Sequence, residues 1–194
     1  MNRTLRLLLL ILLLASPSYA QTIPDWEIFG GYSFQRSNVR KYFRTTPIIY
    51  SVRNEGANLN GFDVSVTENL NPWFAGTLDI SGHFAKPEIS GVKTQQRMYT
   101  VMYGPRFSYR PMSNWIPYGH VLFGAAHMDA RVTPTGPRLS DWSVALAAGG
   151  GFDKRFTNKT AIRIIQAEYL RANSLGSNQN NFRFSAGFIL YVGE

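Results

Sequence analysis

Phe62-Asp63-Val64-Ser65-Val66-Thr67-Glu68-Asn69-Leu70-Asn71-Pro72-Trp73-Phe74-Ala75-Gly76-Thr77-Leu78-Asp79-Ile80-Ser81-Gly82-His83-Phe84 is the stretch that decides the fold. It reads as two alternating strands around the tight turn Asn69-Leu70-Asn71-Pro72. Phe62, Val64 and Val66 share one face of the first strand, with Asp63, Ser65 and Thr67 opposite. On the second, Phe74, Leu78, Ile80 and Phe84 oppose Thr77, Asp79, Ser81 and His83. A period of two marks strands whose faces meet different surroundings. An isolated hairpin is marginal in water, so this one predicts further strands.

The chain supplies them, making eight alternating segments. The first runs from Trp26 to Gln35, with Trp26, Ile28, Tyr32 and Phe34 on one face. The hairpin contributes the next two, Asn60 to Glu68 and Trp73 to Phe84. The fourth spans Arg97 to Arg110, the fifth Pro117 to His127, with Val121 and Phe123 outward of His120. The sixth spans Trp142 to Asp153, the seventh Thr160 to Arg171, and the eighth Asn181 to Gly193. Each is close to the roughly 9–11 residues with which a tilted strand crosses a bilayer. The seventh changes phase, and a β-bulge near Ile164-Ile165 would return its polar residues to one face.

The connections alternate in length. Arg36 to Leu59, Ala85 to Gln96, Met128 to Asp141 and Ala172 to Asn180 are long, while Asn69 to Pro72, Pro111 to Ile116 and Lys154 to Lys159 are short. Long loops on one rim and short turns on the other suit an outer-membrane barrel with its N-terminus in the periplasm.

Residues 1–20 read as a cleaved Sec signal peptide: Arg3 and Arg6, the apolar run Leu7 to Leu14, then Ser18-Tyr19-Ala20. The run is shorter than the roughly 20 apolar residues of a spanning helix. Residues 21–194 then form one domain. Losing the two arginines takes the formal charge from +8 to +6. With no cysteine, lipoprotein anchoring, disulfides and thiolate metal sites are all excluded. No later segment reads as a membrane helix, so a membrane location requires a closed barrel.

Which face points inward follows from the composition of the polar one. It is built of small residues: Ser65, Thr67, Ala75, Thr77, Ser81, Gly104, Ser108, Ser143, Ala145, Ala147, Gly149, Gly151, Ser185 and Gly187. A water-exposed sheet would carry Lys, Glu and Gln instead. Lys41, Lys86, Lys93, Lys154 and Lys159 all fall in expected loops or turns. Small residues fit the crowded interior of an eight-stranded barrel. Aromatics gather at strand ends, with Trp73, Tyr109, Trp115 and Phe152 near the short turns. Phe34, Phe84, Tyr99, Trp142 and Tyr169 lie near the long loops, as in two interfacial girdles.

The segments Glu27-Ile28-Phe29-Gly30-Gly31-Tyr32-Ser33, Asn60 to His83, Tyr103-Gly104-Pro105-Arg106-Phe107-Ser108-Tyr109 and Asn181-Phe182-Arg183-Phe184-Ser185-Ala186-Gly187 resemble those of small outer-membrane β-barrel proteins. These are relatives of the transmembrane domain of outer membrane protein A, and the resemblance covers essentially all of residues 21–194. It implies an all-β fold, an eight-stranded antiparallel up-and-down transmembrane β-barrel with long extracellular loops and short periplasmic turns. It also implies the outer membrane of a Gram-negative-type bacterium. In two respects the chain departs from the pattern. No C-terminal peptidoglycan-binding domain is expected, and the end Tyr191-Val192-Gly193-Glu194 lacks the usual terminal aromatic.

Inward, the polar face collects a charged network: Glu27, Asp63, Asp79, Asp153 and Glu168 with Arg106, Arg163, Arg183, His83 and His120. Buried charges must pair or they cost several kcal/mol each, so these are expected to fill the lumen and fix the register. The alternative is a small gated, porin-like channel or transport barrel.

A lipid-modifying enzyme is less favoured. Asp79, Ser81 and His83 share a face, but Asp79 and His83 are roughly 13 Å apart at about 3.3 Å per residue. A catalytic hydrogen bond needs about 2.6–3.2 Å. Gly30-Gly31 and Gly149-Gly150-Gly151 precede no helix, so neither reads as a phosphate loop. No cofactor motif and no metal-ligand spacing is present.

The first long connection carries a basic cluster, Arg36, Arg40, Lys41, Arg44 and Arg53, among Tyr42, Phe43, Ile48, Ile49 and Tyr50. Arginine suits phosphate, so lipopolysaccharide joins outer-membrane lipid as an expected partner. An extracellular protein could also be met through the long loops. Nucleic acid is not expected of an exported chain, and a monomer is. The reading is therefore a non-enzymatic structural or surface-interaction barrel. Its remaining competitor is a soluble periplasmic ligand-binding barrel with the two faces exchanged.

Overall fold

The computed structural model describes residues 23–44, 50–86, 88–89, 92–111, 113–132, 138–174 and 177–193. Among them, eight long strands make a closed wall: β1 (Trp26–Arg44), β2 (Tyr50–Asn69), β3 (Phe74–Ala85), β4 (Val92–Ser108), β5 (Trp115–Val132), β6 (Arg138–Arg155), β7 (Thr160–Ser174) and β8 (Ser177–Val192). Each pairs antiparallel with its neighbour in the chain. β1 also pairs with β8 from Trp26↔Val192 to Asn38↔Asn180, which closes the sheet and leaves no edge. A two-residue strand, Glu88–Ile89, folds back on the start of β4.

The hairpin read from sequence is in place. Asp63 faces Ser81 across the β2–β3 ladder, and Val64 faces Ile80. Its turn is held by the Asn71 carboxamide oxygen, which accepts hydrogen bonds from the backbone N–H of Trp73 (3.1 Å) and Phe74 (2.8 Å). The β7 hairpin turn uses Thr157 Oγ1 in the same way, accepting from the N–H of Lys159 and Thr160.

Side chains alternate across the wall as the period of two requires. Asp63, Ser65, Thr67, Thr77, Asp79, Ser81 and His83 are buried, whereas Phe62, Val64, Leu78, Ile80 and Phe84 are exposed on the outside. An exterior this apolar belongs in lipid. On β5 the outward face runs from Trp115 near the short turns to His127, whose ring lies 4.5 Å from that of Trp142 on β6. Twelve residues at about 3.3 Å, tilted by about 40°, span roughly 30 Å, the thickness of a hydrocarbon core. Among the described residues no helix is long and apolar enough to cross a membrane, so the crossing is made by strands.

In two places the strands are more irregular than simple alternation. Arg163 pairs with Gly187 and Gln166 with Ser185, so Ile164 and Ile165 together occupy a single step of the β8 ladder. This is the expected bulge, and it sends both isoleucines outward to lipid. Gly82 lies beneath two outward rings. A Cβ there would come within 2.7 Å of Phe62 and 3.3 Å of Tyr99, so glycine is what allows the aromatic cover to close.

Strand ends differ from the sequence-based bounds by two residues or fewer at the short turns and mostly by more on the long-loop rim. β1 continues past Gln35 to Arg44, and β2 begins at Tyr50 rather than Asn60. The connection between β5 and β6 shortens likewise, from 128–141 to 133–137. Beyond the bilayer both faces of a strand meet water, so backbone pairing continues while the apolar–polar alternation that reveals it fades.

Candidate functional site

The inward side chains stack in layers, and β7 displays the order in one strand. Ala161, Arg163, Gln166, Glu168, Leu170 and Ala172 are buried in that sequence from the short-turn end to the long-loop end. Charged residues thus occupy the middle, and apolar residues lie on either side.

Toward the short turns Phe29, Ala161, Ile189 and Tyr191 pack together. Beside them two arginines converge on one carboxylate. Arg106 Nη2 donates to Asp153 Oδ2 at 2.7 Å, and Arg163 Nε donates to Asp153 Oδ1 at 2.9 Å. Arg106 also pairs with Glu27 at 3.2 Å. Glu27 in turn accepts from Arg110 at 2.5 Å and from the Asn69 amide at 3.0 Å. Both guanidiniums lie over the Tyr118 ring, Arg106 at 3.9 Å and Arg163 at 4.7 Å from its centroid. Both cations thereby gain a π-face as well as carboxylates. Tyr118 donates its hydroxyl proton to Gln166 Oε1 at 2.6 Å.

Gln166 links this cluster to the next by donating to Asp63 Oδ2 at 3.2 Å. The second cluster is centred on Arg183, which has no solvent exposure. Its three nitrogens each find a different acceptor: Glu168 at 2.5 Å, Ser81 at 2.8 Å and Asp79 at 2.9 Å. Glu168 also meets His120 Nε2 at 2.7 Å. His83 Nε2 lies 2.8 Å from Ser33 Oγ, which also accepts from Ser185 at 3.0 Å. Above this cluster Leu59, Met98, Met102, Leu122, Ala126, Ala145, Ala147, Leu170 and Ala172 form a second apolar layer.

All ten side chains assigned to the charged network from sequence are buried. Nine of them fall into the two clusters above, while His83 turns to serines. Arg110, Asn69, Tyr118 and Gln166 join them without having been singled out. Arg110 sits at the end of an expected strand, and the other three carry no charge to mark them. The apolar layers were missed as well, because Phe29, Leu122 and Ile189 lie between outward apolar neighbours and look like the same surface. Asp79, Ser81 and His83 form no relay: Asp79 meets Arg183, Ser81 meets Thr100 (2.7 Å) and Arg183, and His83 meets Ser33. Among the described residues no group of three or more His, Asp and Glu is placed to hold a metal ion.

The basic residues of the first connection lie on strand rather than loop, with Arg36, Arg40, Lys41 and Arg44 on β1 and Arg53 on β2. Lys41 is directly opposite Arg53 in the ladder. Arg36 is exposed, and the other four side chains lie outside the described residues.

A closed eight-stranded wall with an apolar exterior and a packed polar interior defines a transmembrane β-barrel of the outer membrane. The chain belongs to the outer membrane protein beta-barrel domain family, whose model matches residues 7–189. Among solved structures it is similar to Neisserial surface protein A (12% identity, TM-score 0.65, covering 88% of this chain and 99% of that one). It is also similar to Ail, the attachment invasion locus protein of Yersinia pestis, in its complex with the heparin analogue sucrose octasulfate. There the identity is 20% and the TM-score 0.56, covering 85% of this chain and 99% of that one. At these identities the likeness is one of fold. Among curated proteins none matches the sequence.

Proposed function

We propose that this barrel is a non-enzymatic structural or surface-interaction protein of the outer membrane. Its lumen acts as an internal brace, and its working surface is the long-loop rim. The observation that carries this reading is how fully the interior is occupied. Arg106 and Arg183 reach across the barrel to carboxylates on other strands and are buried, with apolar groups packed beside the first cluster and over the second. Paired charges and packed apolar groups leave little room for a hydrated path, and eight strands enclose only enough space for side chains. Residues 1–20 are removed on export in this account, so the mature chain starts at Gln21 and works as a monomer. Its contacts are with outer-leaflet lipid, lipopolysaccharide included, and with extracellular partners.

Planar-bilayer recording of the refolded protein tests the reading, with folding checked by the heat-dependent gel mobility of a barrel. Silence under voltage is the expected result. Reproducible unitary currents would favour the channel instead.

A further inference from the structure

On the outer surface, β4, β5 and β6 present three successive rows at the long-loop rim. The lowest is Tyr99, His127 and Trp142, directly opposite one another in the ladders. Trp142 is 70% exposed, and a Trp–Tyr row at this height marks the membrane–water interface. The next row is Arg97, Asp129 and Ser140, and the third is Gln95, Arg131 and Arg138. They lie about 7 and 13 Å further along the tilted strands, or roughly 5 and 10 Å above the ring row, so the second row stands at headgroup height and the third at its outer edge.

Gln95, Arg97, Asp129, Arg131 and Arg138 together line a cavity of about 110 Å³. The charges in it do not balance. Asp129 is engaged by Arg138, whose Nε donates to Oδ2 at 2.6 Å. Arg97 and Arg131 make no ion pair among the described residues. Arg131 stands directly opposite Arg138, and like charges facing each other across a ladder are destabilising. Such an arrangement is relieved by an anion that several guanidiniums can share, and a phosphate accepts their forked donors two at a time.

We infer that Gln95, Arg97, Arg131 and Arg138 form a binding site for the phosphate of an outer-leaflet lipid headgroup, with Asp129 orienting Arg138. A lipid source is favoured over a soluble one by position: the cavity opens on the lipid-facing side of the wall, directly above the interfacial ring row. The inference rests on the long-loop rim being the working surface. It moves the phosphate contact from the basic residues of the first hairpin to the β4–β6 face.

Native mass spectrometry of the refolded protein in non-ionic micelles tests this, with diphosphorylated lipid A, its dephosphorylated form, inorganic phosphate and heparin as probes. The Arg97→Gln/Arg131→Gln variant should lose at least about tenfold in affinity for diphosphorylated lipid A, the weight of one or more charge-assisted contacts. Its affinity for the dephosphorylated lipid should not change. Arg97→Lys/Arg131→Lys should fall between, keeping charge without the fork. Equal binding by wild type and the Gln variant would overturn the site. So would loss of binding in Arg36→Gln with the β4–β6 arginines intact. Variant-sensitive binding of heparin or inorganic phosphate tighter than that of lipid A would overturn the lipid source. A silent bilayer recording alongside any of these results would leave the closed-lumen reading standing, so the two can fail separately.

Discussion

Replacing Arg183 by methionine removes one charge from the middle of the barrel while keeping most of the side-chain volume. Three contacts go at once, to Glu168, Ser81 and Asp79. The losses are unequal. Glu168 retains His120 at 2.7 Å, and Ser81 retains Thr100 at 2.7 Å. Asp79 loses its only ion pair among the described residues. Removing one partner of a buried pair costs about 3–5 kcal/mol, because the other charge stays buried and uncompensated. With a urea dependence of about 2 kcal/mol per molar, the unfolding midpoint in lipid vesicles should fall by roughly 2 M. Tryptophan fluorescence reads that transition, and the heat-dependent gel shift reports whether the variant folds. In the triple variant Asp79→Asn/Glu168→Gln/Arg183→Met the charges left behind are gone too, and more than half of the lost stability should return. If Arg183→Met stays within about 1 kcal/mol of wild type, or the triple variant is no more stable than the single one, the ion pairs are not what braces the lumen.

Four further variants probe the wall and the apolar layers. Leu170→Ala empties a buried site in the upper layer and should cost about 2–5 kcal/mol by the same unfolding assay. Val144→Ala on the exterior should cost less than about 1 kcal/mol, because lipid fills the space it leaves. Deleting Ile164 should still give a heat-modifiable barrel, since Ile165 alone can occupy the outward step between inward Arg163 and Gln166. Deleting Ala167 should abolish folding, because it turns Glu168 out to lipid and takes a partner from both Arg183 and His120.

Much of this architecture is legible in the chain because lipid and lumen impose opposite demands on alternate residues. Phe62, Val64, Leu78 and Ile80 read as one face for that reason, and the small size of Ser65, Ser81 and Ser185 marks the inside. The phase change at Ile164-Ile165 was readable too, since two consecutive outward isoleucines break an otherwise strict alternation. What escaped lies where that contrast vanishes. Phe29, Leu122 and Leu170 are apolar residues on the inward side, and an interior packed only by charges would leave gaps that these side chains fill. The strand extensions to Arg44 and from Tyr50 carry no apolar–polar alternation in the sequence, so backbone pairing there leaves no pattern to read. Tyr118 and Gln166 are neutral residues that became connectors only once the register set them beside Arg163. The Arg97–Arg131–Arg138 group needs three strands in register before it is a cluster at all.

The measurement that bears most directly on the braced lumen uses the absence of native cysteine. Ser81→Cys and Ser185→Cys each place a thiol at a buried inward position with little change in size. Val144→Cys and a cysteine at the exposed turn residue Asn158 serve as lipid-facing and water-facing references. A membrane-impermeant charged thiol reagent is added to the folded barrel in lipid vesicles. Rapid labelling is expected at 158, and none at 81 or 185 until the protein is unfolded. Labelling at 81 or 185 in the folded state, at a rate near that of the turn, would mean that water fills the lumen and that the charged network does not brace it shut.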